Sequence, residues 1–138
     1  MKLEFDAINH RFLVSNGNNI VEVNSNGVAI GEMGGGVPVS SYGMEVAGNT
    51  LFTIDGSRVY AYNLITDELL SYITISGAGF LNGMASDNQG RVWVTDFSTK
   101  KITEIDFSDV LNPTYQTVVS NTVVTPNGIC YDAANNRL

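Results

Sequence analysis

A segment of alternating apolar and polar residues recurs along the chain. It reads RFLVSN from Arg11, TLFTID from Thr50 and RVWVTD from Arg91, and a partial copy starts at Arg137. The four starts are therefore 39, 41 and 46 residues apart. Periods of about 40 to 50 residues are typical of repeats built from four β-strands. This repetition constrains the fold more than any single motif in the chain.

Other strand-like segments keep a constant order around each copy. A second alternating segment follows each complete copy, at residues 20–24, 59–63 and 102–106. A short apolar segment precedes each copy: LEFDA, GMEVAG, GMASD and GICYD, starting at Leu3, Gly43, Gly83 and Gly128. The outermost strands are expected near GVAIGE, ELLSYITIS and PTYQTVVSN. No window keeps apolar residues at helical spacing, so the sequence predicts an all-β chain.

The repeat indicates a β-propeller of four-stranded blades rather than a β-sandwich, because a sandwich does not require a period near 40 residues. With 138 residues, the chain has room for one domain. We expect residues 1–138 to form a single partial propeller, with three blades and the start of a fourth. The predicted blades cover residues 2–40, 41–80 and 81–125, and the fourth begins at 126–138.

Charge and composition exclude several classes of partner. The net charge is −7, and no basic cluster is larger than Lys100-Lys101, which argues against a nucleic-acid partner. No apolar run is long enough for a membrane span. The single cysteine, Cys130, excludes a disulfide within the chain. The first residues have no apolar stretch of the secretory type, and the sequence does not assign a compartment.

Two segments, LNGMASDNQGRVWVTDF and TPNGICYDAANNRL, resemble the repeats of six-bladed NHL-type propellers. They are also similar to the family of senescence marker protein, gluconolactonase and strictosidine synthase-like proteins. The shared pattern is Asn or Pro-Asn, then Gly, an apolar strand, a turn, and a strand ending in Asp. The Gly-His and Trp-Asp signatures of WD40 blades are missing from the chain.

The resemblance implies a divalent cation, calcium or zinc, at one mouth of the central channel. In the lactonase branch its ligands stand just before the glycine that opens an inner strand. The corresponding residues here are Tyr42, Asn82 and Asn127, of which the two Asn residues match the family's metal ligands. Each Asn has a second interpretation as a turn residue, because Asn before Gly is common in turns. Tyr42 and Glu45 are expected to line the channel or a pocket.

Two functions follow from the resemblance. The first is a metal-dependent lactone or ester hydrolase, in which a cation polarises the carbonyl and a carboxylate activates water. The second is a non-catalytic, NHL-like scaffold that binds a protein or a glycan. It is favoured by the lack of counterparts for the family's acidic ligands. No catalytic residue is assigned, because the single histidine, His10, falls in a predicted turn.

Three blades fill only half of a six-bladed ring, and a propeller protects its strand edges by closing the ring. We therefore expect the chain to be completed either by further blades of the same polypeptide or by a second copy. The expected ligand at the channel mouth is a small molecule or a protein.

Overall fold

The chain is described from a computed structural model that covers residues 2–33 and 42–138. The residues in these two ranges form three four-stranded antiparallel sheets, which confirms the predicted partial propeller. The predicted boundary between the first two blades, at residues 40 and 41, lies outside the described residues. Within the described part of the chain, no helix is long and apolar enough to cross a membrane.

Each sheet is one blade, and its strands follow chain order from the inner to the outer edge. Blade 1 contains β1 (Leu3–Asp6), β2 (Arg11–Asn16), β3 (Asn19–Val23) and β4 (Ala29–Glu32). Blade 2 contains β5 (Met44–Ala47), β6 (Thr50–Asp55), β7 (Arg58–Asn63) and β8 (Leu69–Thr74). Blade 3 contains β9 (Leu81–Ser86), β10 (Arg91–Asp96), β11 (Lys101–Asp106) and β12 (Thr114–Val119). The inner strands β1, β5 and β9 are neighbours in that order.

Burial along the second strand of each blade follows the number of blades that cover it. In β2, buried and half-buried residues alternate, because blade 2 covers only one face of blade 1. Strand β6 lies between two blades and is buried on both faces from Leu51 to Ile54. One apolar cluster, which includes Leu13, Ile20 and Leu51, joins blades 1 and 2. A second cluster, which includes Phe52 and Val94, joins blades 2 and 3.

The partial fourth copy packs against blade 3. The Tyr131 ring stacks on the Trp93 ring, with centroids 5.2 Å apart and planes 17° from parallel. Asp132 and Arg137 form an isolated antiparallel bridge. This bridge joins the same two residue types as the pair Asp6 and Arg11, which connects β1 to β2. The last 13 residues therefore begin a further repeat, as the sequence predicts.

Candidate functional site

The three positions predicted at the channel mouth line one pocket. Tyr42, Asn82 and Asn127 come from successive repeats, and they surround a volume of about 300 Å³. The other lining residues are Lys2, Gly83, Met84, Gly128 and Ile129. We call this volume the amide pocket, after its two Asn side chains.

The glycines at the start of the inner strands explain why these positions meet. A Cβ atom built on Gly43 would lie 2.7 Å from the carbonyl oxygen of Asn82, and one on Gly83 would lie 2.9 Å from that of Asn127. Real Cβ atoms do not approach other atoms so closely. Each glycine therefore lets the next repeat pack directly against its backbone, as glycine does wherever two backbones approach closely. The residue before each glycine is thereby placed beside its counterpart in the neighbouring repeat.

Asn82 and Asn127 are hydrogen-bonded to each other. Asn82 Nδ2 donates to Asn127 Oδ1 at 2.6 Å. Asn82 is buried, with 9% of its surface exposed, whereas Asn127 is exposed. A carboxamide has two N–H donors and an oxygen that accepts twice. This contact uses one donor and one acceptor position, so the pair keeps further donors and acceptors.

These two side chains do not fit the calcium or zinc site that the resemblance implies. Both are neutral, and one of their two amide oxygens already accepts a hydrogen bond from the other side chain. Calcium sites use several oxygens that commonly include carboxylates, and zinc sites use Cys, His or carboxylate ligands. In residues 2–33 and 42–138, no group of three or more His, Cys, Asp or Glu could hold a metal ion. The cation stays a prediction of the resemblance.

A series of three aromatic rings starts at Tyr42, which lines the amide pocket. Tyr42 and Phe80 meet edge to face with centroids 4.7 Å apart, and Phe80 and Phe97 do so at 6.1 Å. Tyr42 is 51% exposed and Phe97 is 38% exposed. We call these three residues the aromatic rim. Sequence reasoning placed Tyr42 at the channel mouth but missed both Phe residues, because they lie in connecting loops outside the aligned strands.

Asp96 holds the rim in place. At the end of β10 its carboxylate accepts the backbone N–H groups of Ser98 and Thr99, both at 3.0 Å. It also accepts those of Gly79 at 2.7 Å and Phe80 at 3.0 Å, in the loop before β9. Burial by itself raises the pKa of Asp96, but these backbone hydrogen bonds outweigh it and hold the pKa below its usual value.

Glu45 is not among the residues that line the amide pocket. It lies on β5, and its Oε1 accepts hydrogen bonds from the backbone N–H and the hydroxyl of Ser86 on β9, both at 3.1 Å. Burial, followed by repulsion from Glu4, raises the pKa of Glu45, and the hydrogen bonds from Ser86 only partly oppose this. In the structure, the side chain joins two neighbouring inner strands.

The single histidine and the single cysteine of the chain do not form a catalytic pair in the structure. His10 is exposed, and it occupies the turn between β1 and β2 with a left-handed φ of 53°. Asn136, at the same position of the last repeat, has a φ of 50°. This agreement supports the interpretation of His10 as a turn residue. Cys130 is exposed, and no hydrogen bond joins it to His10.

No protein-family model and no curated protein matches the chain. Among solved structures, it is similar to a chain in the crystal structure of the mitotic checkpoint complex. The two are 12% identical with a TM-score of 0.73, over 98% of this chain and 43% of that one. It is also similar to the C-terminal WD40 domain of Sif2, at 14% identity and a TM-score of 0.64, over 98% of this chain and 40% of that one.

A third similar structure is the N-terminal domain of Nup159, at 11% identity and a TM-score of 0.53, over 84% of this chain and 33% of that one. The chain thus spans less than half the length of each of the three. None of these structures supports the resemblance to the NHL and gluconolactonase families. The chain is similar in structure to the Sif2 domain, although its sequence lacks the WD40 signatures. At these identities the comparisons show the fold alone, and that fold is a β-propeller.

Proposed function

We propose that this chain is part of a non-catalytic β-propeller scaffold that binds a protein partner at the channel mouth, through the aromatic rim and the amide pocket. One similar chain comes from a structure of the mitotic checkpoint complex, which is a protein assembly. This likeness supports a binding role rather than a hydrolytic one for a propeller of this kind.

The observation that carries the proposal is the exposed aromatic rim beside a polar pocket. Aromatic side chains are enriched in protein interfaces, where a few of them contribute most of the binding energy. Tyr42 and Phe97 are both substantially exposed, yet both rings rest on Phe80. Asp96 fixes the backbone of Phe80. Because each ring already packs against another ring, we expect little conformational entropy to be lost when a partner covers them.

The hydrolase hypothesis has less support at the same site. Its mechanism needs a polarising cation and a carboxylate that activates water. In residues 2–33 and 42–138, no Asp or Glu lines the amide pocket, and its two Asn side chains are hydrogen-bonded to each other. A binding function needs neither group.

A peptide selection would test the proposal. Random 12-residue peptides displayed on phage would be selected on the protein, and the affinity of the enriched peptides measured by fluorescence anisotropy. We expect Phe97→Ala and Tyr42→Ala each to weaken binding about tenfold or more, because truncating an interface hot spot costs roughly 2 kcal/mol. Tyr72→Ala is the matched control, since Tyr72 is 50% exposed on β8 of blade 2.

Three results would contradict the proposal. The first is peptide affinity that does not change in either rim variant. The second is displacement of the peptides by neutral oligosaccharides, which would assign the site to a glycan. The third is lactone hydrolysis that depends on calcium, zinc or manganese and is lost in Asn127→Ala, which would restore the hydrolase hypothesis.

A further inference from the structure

We propose that the amide pocket receives an uncharged carboxamide side chain of the partner, Asn or Gln, and rejects the corresponding carboxylate. The inference rests on the proposed function and names the group that the same site recognises. It is carried by the charge of the pocket, by the hydrogen-bonding capacity of its two Asn residues, and by its shape.

Among the described residues, the pocket lining carries one formal charge, that of Lys2. The Nζ atom of Lys2 lies 3.1 Å from the Oε1 atom of Glu4, which is itself not a lining residue. The carboxylate of Glu4 therefore balances the ammonium group of Lys2. Among the lining residues that the structure describes, an anion would find no cation without an ion-pair partner, and a cation would find no carboxylate. The pocket is suited to a neutral polar group.

The Asn pair offers both a donor and an acceptor to such a group. With Asn82 Nδ2 bonded to Asn127 Oδ1, Asn127 keeps the N–H groups of its Nδ2 and Asn82 keeps its Oδ1 acceptor. A carboxamide ligand also combines one acceptor oxygen with an N–H donor in one plane. Its oxygen can accept a hydrogen bond from Asn127 Nδ2, and its N–H group can donate one to Asn82 Oδ1. The two hydrogen-bonded Asn side chains then become a series of three carboxamides.

A carboxylate cannot make both contacts. Its oxygens only accept, so the oxygen next to Asn82 Oδ1 would face another acceptor. Asn82 is 9% exposed, and water has little access to relieve that contact. A buried polar group left without its partner costs about 1–3 kcal/mol, which corresponds to roughly five- to 150-fold in affinity.

The shape of the pocket suits one side chain. Its volume is about 300 Å³, and two lining positions, Gly83 and Gly128, carry no side chain. Met84 and Ile129 supply apolar surface for the methylene groups of a Gln or Asn side chain. Tyr42 lines the same pocket and belongs to the aromatic rim. Residues that flank the carboxamide in the partner would therefore pack on the rim.

The substitution Asn127→Asp isolates this contact. It keeps the oxygen that accepts from Asn82 and replaces the Nδ2 donor with a second oxygen. Because Asn127 is exposed, we expect the variant to fold, with a urea unfolding midpoint like that of the unchanged protein. Asn18→Asp is the matched control: the same chemical change at an exposed residue of the turn between β2 and β3.

The probes are peptides enriched by the selection above, each synthesised with its Gln or Asn and with Glu or Asp in its place. We expect the affinity of the carboxamide peptides to be at least about ten times that of their carboxylate counterparts. We expect Asn127→Asp to lower the affinity of the carboxamide peptides to a similar extent, and Asn18→Asp to change that affinity less than twofold.

Two outcomes separate this inference from the proposed function. Suppose that peptides bind and that Phe97→Ala abolishes this binding, while neither the exchange of carboxamide for carboxylate nor Asn127→Asp changes the affinity. The carboxamide assignment is then wrong, and the proposed function stands. Tighter binding of the carboxylate peptides would overturn the assignment in the same way. If the rim variants also leave peptide binding unchanged, both proposals fail together.

Discussion

Two short segments of the chain share one sequence pattern and one local geometry. Residues 6–11 read DAINHR and residues 132–137 read DAANNR, and we call them the first and the last clasp. In each, the Asn side chain donates to the Asp carboxylate, at 2.8 Å in the first clasp and 2.7 Å in the last. In each, the Arg Nε also donates to that carboxylate, at 2.8 Å and 3.0 Å. The same local sequence therefore forms the same turn in both places.

The two clasps differ in what surrounds them. Arg11 is 8% exposed, and it also contacts Glu22 at 2.7 Å, Asp67 at 3.2 Å and the carbonyl of Leu64 at 3.3 Å. It thereby ties blade 1 to the loop between β7 and β8 of blade 2. The side chain of Arg137 is 70% exposed, and its ion pair is with Asp132. The same motif therefore contributes to stability mainly where a neighbouring blade covers it.

The largest effect is expected from Arg11→Met, which keeps a long side chain but removes the charge. It leaves the carboxylate of Asp6, which is fully buried, without its cation. Removing one partner of a buried ion pair costs about 3–5 kcal/mol. Urea unfolding monitored by the fluorescence of Trp93, the one tryptophan, measures this loss. A change below about 1 kcal/mol would show that the first clasp is as weakly coupled as a surface pair.

A smaller effect is expected on how the free energy of unfolding decreases at acidic pH. Burial alone raises the pKa of Asp6, but hydrogen bonds from Asn9 and Arg11 outweigh it and lower the pKa below its usual value. A lowered folded-state pKa stabilises the protein above the unfolded value, near 3.9, and this stabilisation is lost as the pH falls through the folded value. Each unit of lowering corresponds to about 1.4 kcal/mol.

The check is to measure urea unfolding between pH 7 and pH 2.5 for the unchanged protein and for Asp6→Asn. The variant should lose less stability on acidification, because it has no Asp6 carboxylate to protonate. Asp132→Asn is the control: the pKa of Asp132 is also lowered, mainly by a hydrogen bond from Asn135, but its side chain is partly exposed. If both variants lost equally little stability on acidification, the two clasps would not differ in the way we describe.

Much of the fold follows from local pattern, whereas the contacts that distinguish the clasps do not. Strands β2, β6 and β10 begin and end where the aligned segments do, since alternation and turn residues are visible within a few positions. Position within the repeat also brings Asn82 and Asn127 to one pocket. Arg11 reaches Asp67 across 56 residues, and nothing in the local pattern of either segment indicates that contact. The local pattern likewise gives no indication that Phe97 packs against Phe80 in the aromatic rim.

A modest gain in stability is expected at the turn inside the first clasp. His10 is exposed and has a φ of 53°, in a left-handed region that costs a residue with a Cβ roughly 1–2 kcal/mol. His10→Gly relieves this strain but adds freedom to the unfolded chain, so the net stabilisation should stay below about 1 kcal/mol. Asn136→Gly in the last clasp should gain less, because the short polar side chain of Asn can hydrogen-bond locally and tolerates the left-handed conformation better than His does. Differential scanning calorimetry of both variants measures the difference, and a larger gain at Asn136 would contradict it.

The smallest effect is expected from Arg137→Met, the counterpart of the first substitution. The guanidinium of Arg137 is mostly in water, where solvent screening leaves an ion pair little net contribution to stability. Its urea midpoint should be indistinguishable from that of the unchanged protein. A loss comparable to that of Arg11→Met would mean that Arg137 is buried in solution against another copy of the chain. Light scattering would then give a mass near twice 14.9 kDa, and a monomeric mass together with a large loss would refute our comparison of the clasps.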